Sequence, residues 1–508
     1  MMTTRQTIAA GFAAAAMTIG GASMADIIVW SDADTGDSNW STGGNWVDGA
    51  APGSGDTAEF AQSGSGSSQV DLDGNQTIAG ITFNGNSGNF TIGGSSGTLY
   101  LEGGDIDITT TGANTYEISR NLLWESLDCT VGADGELFLS GGTDSSGGNQ
   151  WLTKRGTGTL RLDGPVGNNN GTNFTFLEGT AIIQTGFKAG TTIGNNSDPA
   201  GTAVVEVNGN GTMQFDGDFV IRSSGKLDWN GYNQTNVGSD VVMEGGEMIV
   251  PTASVIEWGG INGTNIQYVA GSGNAAAITG DGELRIQNSG HSGNRTIHIE
   301  DDTNLDVEMT ISPKLSTDGG TDSLTKTGDG TVALAGDNDY TGTTTVSGGT
   351  LLINGTTSGQ GDYTVDSGAT LGGSGTIDAS ITVNGTLAPG ESIGTLGVNG
   401  TVEIGPGTLL IEVDDQGNSD LLEITGDLDL SNTGDTLQVT GTPAYGPRMW
   451  YTLATYTGQL SGTFDNLDLP SNYAIRYEDG EILMVPEPTT VVLLGLALCG
   501  LLRRRRLG

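Results

Sequence analysis

Cysteine, histidine and positive charge are all scarce in this chain. Of 508 residues, two are cysteines (Cys129 and Cys499) and two are histidines (His291 and His298). Cys499 stands in an apolar tail, a poor place for a bridge, so the body is expected to hold no disulfide and to draw its stability from packing and strand pairing. Lys and Arg number 18 against 60 Asp and Glu, a formal net charge of -42. Binding to phosphate backbones rests on clustered cations, so nucleic acid is set aside as a partner. An acidic exterior suits solubility outside the cell and attracts cations such as Ca2+, although its plain reading is a solvated surface. The acidic stretch Asp414 to Asp420 lacks the alternating ligand positions and closing Glu of a calcium loop. No Gly-x-Gly pair opens a helix where phosphate docks, and Ser-His-Asp or Cys-His catalysis has no local support. No cofactor or resident metal is expected.

Glycine is what the chain has in excess. Its 87 glycines come to more than twice the roughly 7% of an average protein. They follow no collagen period, and aliphatic residues alternate regularly between them, so tight turns between short strands are the reading. Leu324 to Asn354 shows the unit. Thr331-Val332-Ala333-Leu334, Thr343 to Val346 and Thr350 to Ile353 each place small or polar residues outward and aliphatics inward, with Gly, Asn and Asp between them. Leu152 to Leu162 repeats Leu324 to Leu334 nearly position for position. Weaker copies stand at Gly135 to Leu139, Gly209 to Phe215 and Gly280 to Ile286. Self-similarity at this scale predicts a stacked solenoid with one continuous core.

The Leu324 copy resembles the autotransporter-associated β-strand repeat: Leu-Thr-Lys-x-Gly-x-Gly-Thr, then the turn Asn338-Asp339-Tyr340-Thr341-Gly342, then Gly348-Gly349-Thr350-Leu351. The Leu152 copy is partial, its Asn168-Asn169-Asn170-Gly171 turn lacking the Tyr. The resemblance implies an all-β fold, a parallel β-helix with caps at both ends, and says little about activity. No membrane β-barrel of long amphipathic strands is expected before Gly508, so the repeat serves here as a building module.

In order, residues 1–25 read as a secretory signal peptide: Arg5, the apolar run Ile8 to Ile19, and Ser23-Met24-Ala25 ahead of cleavage before Asp26. An uncleaved anchor is the alternative, but the run is short for one. Residues 26–67 read as an N-terminal cap and first coils, rich in Trp30, Trp40 and Trp46; residues 68–400 as the β-helix. Within it, Leu387 to Leu396 resembles a Leu-x-Pro-Gly-x-Ser-Ile-Gly-Thr-Leu signature of such helices. Residues 401–485 read as C-terminal coils and cap. Residues 486–508 hold Pro486-Glu487-Pro488, the apolar run Thr489 to Leu502 and the basic cluster Arg503-Arg504-Arg505-Arg506. This tail resembles the PEP-CTERM sorting signal. The apolar run is expected to form a short hydrophobic helix, with Arg503, Arg504, Arg505 and Arg506 cytoplasmic by the positive-inside rule. The resemblance implies recognition by an exosortase-type protease, cleavage near Pro486 to Pro488, transient anchoring, and delivery to the surface or an exopolysaccharide matrix.

Three functions follow. The first is a non-enzymatic, exported structural or adhesive protein associated with extracellular polysaccharide. The second is a β-helix polysaccharide lyase or hydrolase using His298, Glu300 and Asp301, with Arg295 placed on the same face. The third is a carbohydrate-binding module in which Trp40 and Trp46 stack on sugar rings, as both present apolar faces with polar edges; their plainer reading is to cover the open end of the core.

Overall fold

A computed structural model describes residues 26–31, 37–61, 68–84, 88–109, 112–141, 151–163, 173–184, 190–196, 201–209, 219–237, 240–258, 265–286, 294–317, 319–444 and 449–487. The expected signal peptide, the hydrophobic helix of the tail, His291, Pro488 and the four arginines Arg503, Arg504, Arg505 and Arg506 lie outside these residues. Among the described residues the one helical element is a single 3-10 turn, Gly43–Asn45.

The alternation read from sequence closes into a parallel β-helix of three faces. A first sheet of 20 strands runs from Ile27–Val29 to Leu460–Gly462. A second runs from Ser68–Asp71 to Asn466–Asp468, each strand between these two paired in parallel with those of the coils before and after it. The third face comes in two stretches, Gln234–Val237 to Lys314–Ser316 and Thr356–Thr357 onward. Leu324 pairs with Thr344 and Thr344 with Tyr363, so through this copy of the repeat the chain climbs one rung in about 20 residues.

In-register pairing stacks like upon like. Val332, Leu351, Leu371, Leu387, Leu409 and Leu437 form one buried column, each opposite the next. Fully burying such a side chain stabilises the fold by about 1.5–3 kcal/mol, so the column is a main source of cohesion between coils. It ends at Leu467, paired with Leu437 in the last rung and 50% exposed.

The turn glycines are fixed by close approach. Gly156 and Gly328 hold the same place in the two copies of the repeat, at φ +73° and +79°. A Cβ there would lie 2.4 Å from Val131 O and 2.2 Å from Ile299 O respectively. Neither distance leaves room for any other residue.

Two features of the repeat differ from the sequence reading. Asn338, which by composition opens a turn, is a buried rung that bridges the two stretches of the third face. Its N–H donates to Thr356 O at 2.7 Å, and its side-chain oxygen accepts from Leu315 N at 2.9 Å. Tyr340 then fills the corner, its hydroxyl 2.7 Å from Thr344 Oγ1 and 3.0 Å from Tyr363 Oη. The second feature is a lysine on the inward face. Lys326 stands between Ile297 and Val346, and Lys154 between Cys129 and Phe176, both fully buried. Each ammonium turns to backbone carbonyls of its own turn and of the next coil's. Lys326 Nζ donates to Gly328 O (2.9 Å) and Gly348 O (2.8 Å); Lys154 Nζ donates to Gly156 O (2.5 Å) and Glu178 O (3.0 Å). The lysine therefore ties one coil to the next at the corner between the first two sheets.

Burial lowers both lysines from 10.5 to about 8. A base whose folded value is depressed gives stability that is complete above the unfolded value and is lost as pH falls through the folded one. Lys326→Met and Lys154→Met each leave turn carbonyls without a donor and should cost about 1–3 kcal/mol in urea unfolding. The wild-type advantage over the double variant should grow as pH rises from about 8 to 10.5. An advantage flat across that window would show that burial does not depress these groups.

Candidate functional site

The outward face of the second sheet carries a column of threonines. Thr331, Thr350, Thr370, Thr386, Thr408 and Thr436 stand opposite one another in successive rungs. Adjacent strands lie about 4.7–4.9 Å apart, which sets the spacing of the hydroxyls along the axis. None of these hydroxyls has a protein partner among the described residues. Two residues further along each strand, the next outward column is apolar: Ala333, Leu352, Gly372 and Ala388. A Cβ on Gly372 would lie 2.4 Å from Ala388 O, so the column dips there.

Two excursions of the chain wall these columns into a groove of about 390 Å³. It is lined by Thr331, Thr350, Thr370, Leu352 and Ala388 of these columns, by Asp306 and Val307 just before the strand one rung below Thr331, by Pro389 to Ser392, and by Leu410, Glu412 and Asp420. The second wall is the Leu387 to Leu396 signature, and its glycines are there for close packing. Gly390, at φ +86°, exchanges backbone hydrogen bonds with Gly373, at 2.8 and 3.3 Å. A Cβ on Gly390 would sit 2.6 Å from Asp420 Oδ1. Asp420, 1% exposed, holds the wall in place: it accepts Gly394 N–H at 2.9 Å and Glu412 N–H at 2.7 Å. Burial pushes its carboxyl up to about 6, against the pull of those two amides. Glu391 and Glu412 are exposed at the rim, and among the described residues no Lys, Arg or His lines the groove.

The residues singled out in the sequence fall elsewhere. Trp40 and Trp46 are 0% and 2% exposed, which overturns their reading as sugar-stacking platforms, since a stacking ring needs an open face. They pack edge to face, 5.0 Å between centroids, with Trp30 and Phe60 beside them, and Trp46 Nε1 donates to Trp40 O at 2.8 Å. They close the core, the plainer of the two readings. His298 and Glu300 do face outward on the first sheet, but they serve neighbouring coils: His298 Nδ1 lies 3.0 Å from Thr327 Oγ1, and Glu300 accepts Ala270 N–H at 3.0 Å. Arg295, expected on that face, points inward with Ile297 and Ile299 and donates to Ile286 O at 2.9 Å. The correction follows from strand alternation, which gives 295 the parity of the isoleucines. Asp301 is exposed beside them. Asp414 closes its own turn, accepting Gln416 N, Asn418 N and Asn418 Nδ2. No group of three or more metal-ligating side chains occurs among the described residues.

At the ends, Asp26 joins the first rung, its carbonyl accepting Thr57 N–H at 2.9 Å. Ser23 and Ala25 lie outside the described residues. Pro486 ends the last strand, and Glu487 N–H still donates to Asn472 O at 2.7 Å, so the body is hydrogen-bonded up to the middle of Pro486-Glu487-Pro488. Residues 485–506 match the model of the PEP-CTERM protein-sorting motif. The chain carries that sorting motif. Its matched span takes in Pro488 and all of Arg503, Arg504, Arg505 and Arg506, although the structure of those five lies outside the described residues. Residues 152–183 and 324–353 match the passenger-associated-transport-repeat model, the two copies tied by Lys154 and Lys326. Sorting motif and transport repeats together mark a protein exported to the cell surface. No helix among the described residues is long and apolar enough to cross a membrane. An extracellular serine protease of Serratia marcescens is 40% identical over 99 residues, which is 19% of this chain and 9% of the protease. The crystal structure of the Haemophilus influenzae Hap adhesin aligns over 85% of this chain and 63% of its own, with 12% identity and a TM-score of 0.22. The chain thus spans less than two thirds of either relative.

Two outcomes test this geometry. Trp40→Ala should destabilise the N-terminal coils by about 3–5 kcal/mol, read from denaturant unfolding, as expected for a large ring removed from a packed core. For Asp420, an acid whose folded value is raised gives stability that is complete below the unfolded value of 3.8 and is lost as pH rises through about 6. Protection of the Gly394 amide from hydrogen exchange, corrected for intrinsic rate, should therefore fall between about pH 4 and 6. In Asp420→Asn the same protection should be flat across that window.

Proposed function

We infer that the protein is a non-enzymatic structural or adhesive component of the cell surface, associated with extracellular polysaccharide. The observation that carries this reading is the sorting motif placed directly after the last capping strand of a long β-helix. An exosortase-type protease would act on that motif, and the body would be released as a rigid rod. The hairpin Tyr473–Glu478 with Glu481–Pro486 supports a cleavage point beyond Glu487, because the chain up to there is still paired. Before cleavage, the apolar run Thr489 to Leu502 would anchor the protein transiently, with Arg503, Arg504, Arg505 and Arg506 on the cytoplasmic side.

The second reading, a polysaccharide-cleaving enzyme, draws on one observation: Asp420, raised to about 6, and Glu412 line the same groove. A pair of carboxylates is the equipment of glycoside hydrolysis. Both Asp420 oxygens, however, are taken by backbone amides. The non-enzymatic reading is preferred on that ground.

Fractionation of producing cells, with mass spectrometry of the surface-extracted chain, tests the proposal. The expected chain starts at Asp26, ends at or beyond Glu487 and lacks Arg503 to Arg506. Retention of the arginines in surface material would reject the processing step. Turnover of a polysaccharide by the whole protein, lost in Glu412→Gln, would replace the scaffold with the enzyme.

A further inference from the structure

We propose that the groove on the second sheet binds a polysaccharide bearing free amino groups, its chain lying along the helix axis. This rests on the surface reading above and names the ligand class and its site. Three properties of the groove carry it. First, the hydroxyls of Thr331, Thr350 and Thr370 repeat along the axis at the rung spacing, about 4.7–4.9 Å. A β-1,4-linked pyranose chain, whose successive rings alternate in facing, can meet such a ladder with the same edge at every second rung. Second, Leu352, Ala388 and Leu410 give the floor an apolar strip, which suits the flat apolar face of a pyranose ring while the hydroxyls take its polar edge.

Third, the charge is of one sign. Asp306, Glu391 and Glu412 stand exposed around the groove without a cation among its lining residues, on a chain of net charge -42. A uronate or phosphate-bearing glycan would be repelled by that field, and an ammonium-bearing one attracted. Asp420 and the Gly373 to Gly390 hydrogen bonds also hold the 389–392 wall over the sheet. A preformed groove spares the ordering cost that a loose loop would bring to binding.

The test uses the whole protein with three oligosaccharides of equal length: a β-1,4-glucosamine oligomer, its N-acetylated form and an oligouronate. Calorimetry at pH 6 should show binding of the first, at least about tenfold weaker binding of the second, and none of the third. Glu412→Gln should weaken glucosamine binding by about tenfold. Leu352→Arg, which obstructs the floor and adds a cation, should abolish it, with circular dichroism confirming that the variant keeps its strands. A single substitution barely alters so large a net charge. Equal binding by wild type and both variants would therefore mean diffuse attraction to the whole surface, and would overturn the groove. Preference for the N-acetylated or uronate oligomer would overturn the ligand class. Matrix fractionation separates this from the surface reading. If the protein co-fractionates with polysaccharide and Leu352→Arg does so equally, the groove proposal fails while the surface reading stands. If wild type is absent from the surface fraction, the surface reading itself fails.

Discussion

Between the ends of the described β-helix, each coil is held by hydrogen bonds to the coil before it and the coil after it. Because that pairing is parallel and in register, whatever stands at one position of a strand faces the same position one rung up. The rule cuts two ways. Inward it allows uninterrupted columns such as Val332 to Leu437, which bury apolar surface with no disulfide among the described residues. Outward it turns a weak preference for threonine at strand starts into a ladder of hydroxyls with a fixed spacing. The same constraint leaves the corners as the costly places, since backbone carbonyls there turn away from the ladders and need donors. In both transport repeats the donor is a buried lysine. Its stem lines the core, and its ammonium spans the turns of two consecutive coils.

The sheets and their core were legible in the sequence because a period of two is a local signal: Thr331 to Leu334 shows its inward and outward faces in four residues. What the period cannot carry is the environment of each face. Lys326 has inward parity, yet its chemistry reads as a surface residue until the carbonyls of Gly328 and Gly348 are brought beneath it by coiling. Asn338 has the composition of a turn, and it became a rung because its amide mimics the backbone groups of a missing strand. Arg295 was misplaced although alternation alone assigned it inward, since a buried arginine is rare enough to argue against its own parity.

The groove was less legible than the fold, and for a different reason. Its floor belongs to the second sheet, but its walls come from 306–307 and 389–392, which are more than 80 positions apart in the chain and line one cavity only because successive coils stack along one axis. The Pro389-Gly390 signature could be recognised from sequence, but not Asp420, whose carboxyl reaches back 26 residues to the Gly394 amide. The tryptophans show the converse case. Aromatic residues among Asn, Asp and Ser suggest an exposed binding surface, whereas the end of a solenoid needs bulk to close its core, and that need placed Trp40 and Trp46 inside.

Among the described residues, the two ends of the β-helix are finished differently. At the N-terminal end the chain crosses back: Val47 N–H donates to Val29 O, Trp30 bridges Trp46 in antiparallel fashion, and the first rung is covered. At the C-terminal end, among the described residues, the third face alone is closed, by the antiparallel strands Tyr473–Glu478 and Glu481–Pro486. Leu460–Gly462 and Asn466–Asp468 have one partner each among the described residues, with Leu467 half exposed. An open parallel edge extends only onto a second edge of matching direction and register. The N-terminal crossing removes that complement from every other copy, and the shared negative charge opposes close approach. A crossed N-terminal end therefore opposes head-to-tail pairing of copies, while the last C-terminal strand runs on into the sorting motif.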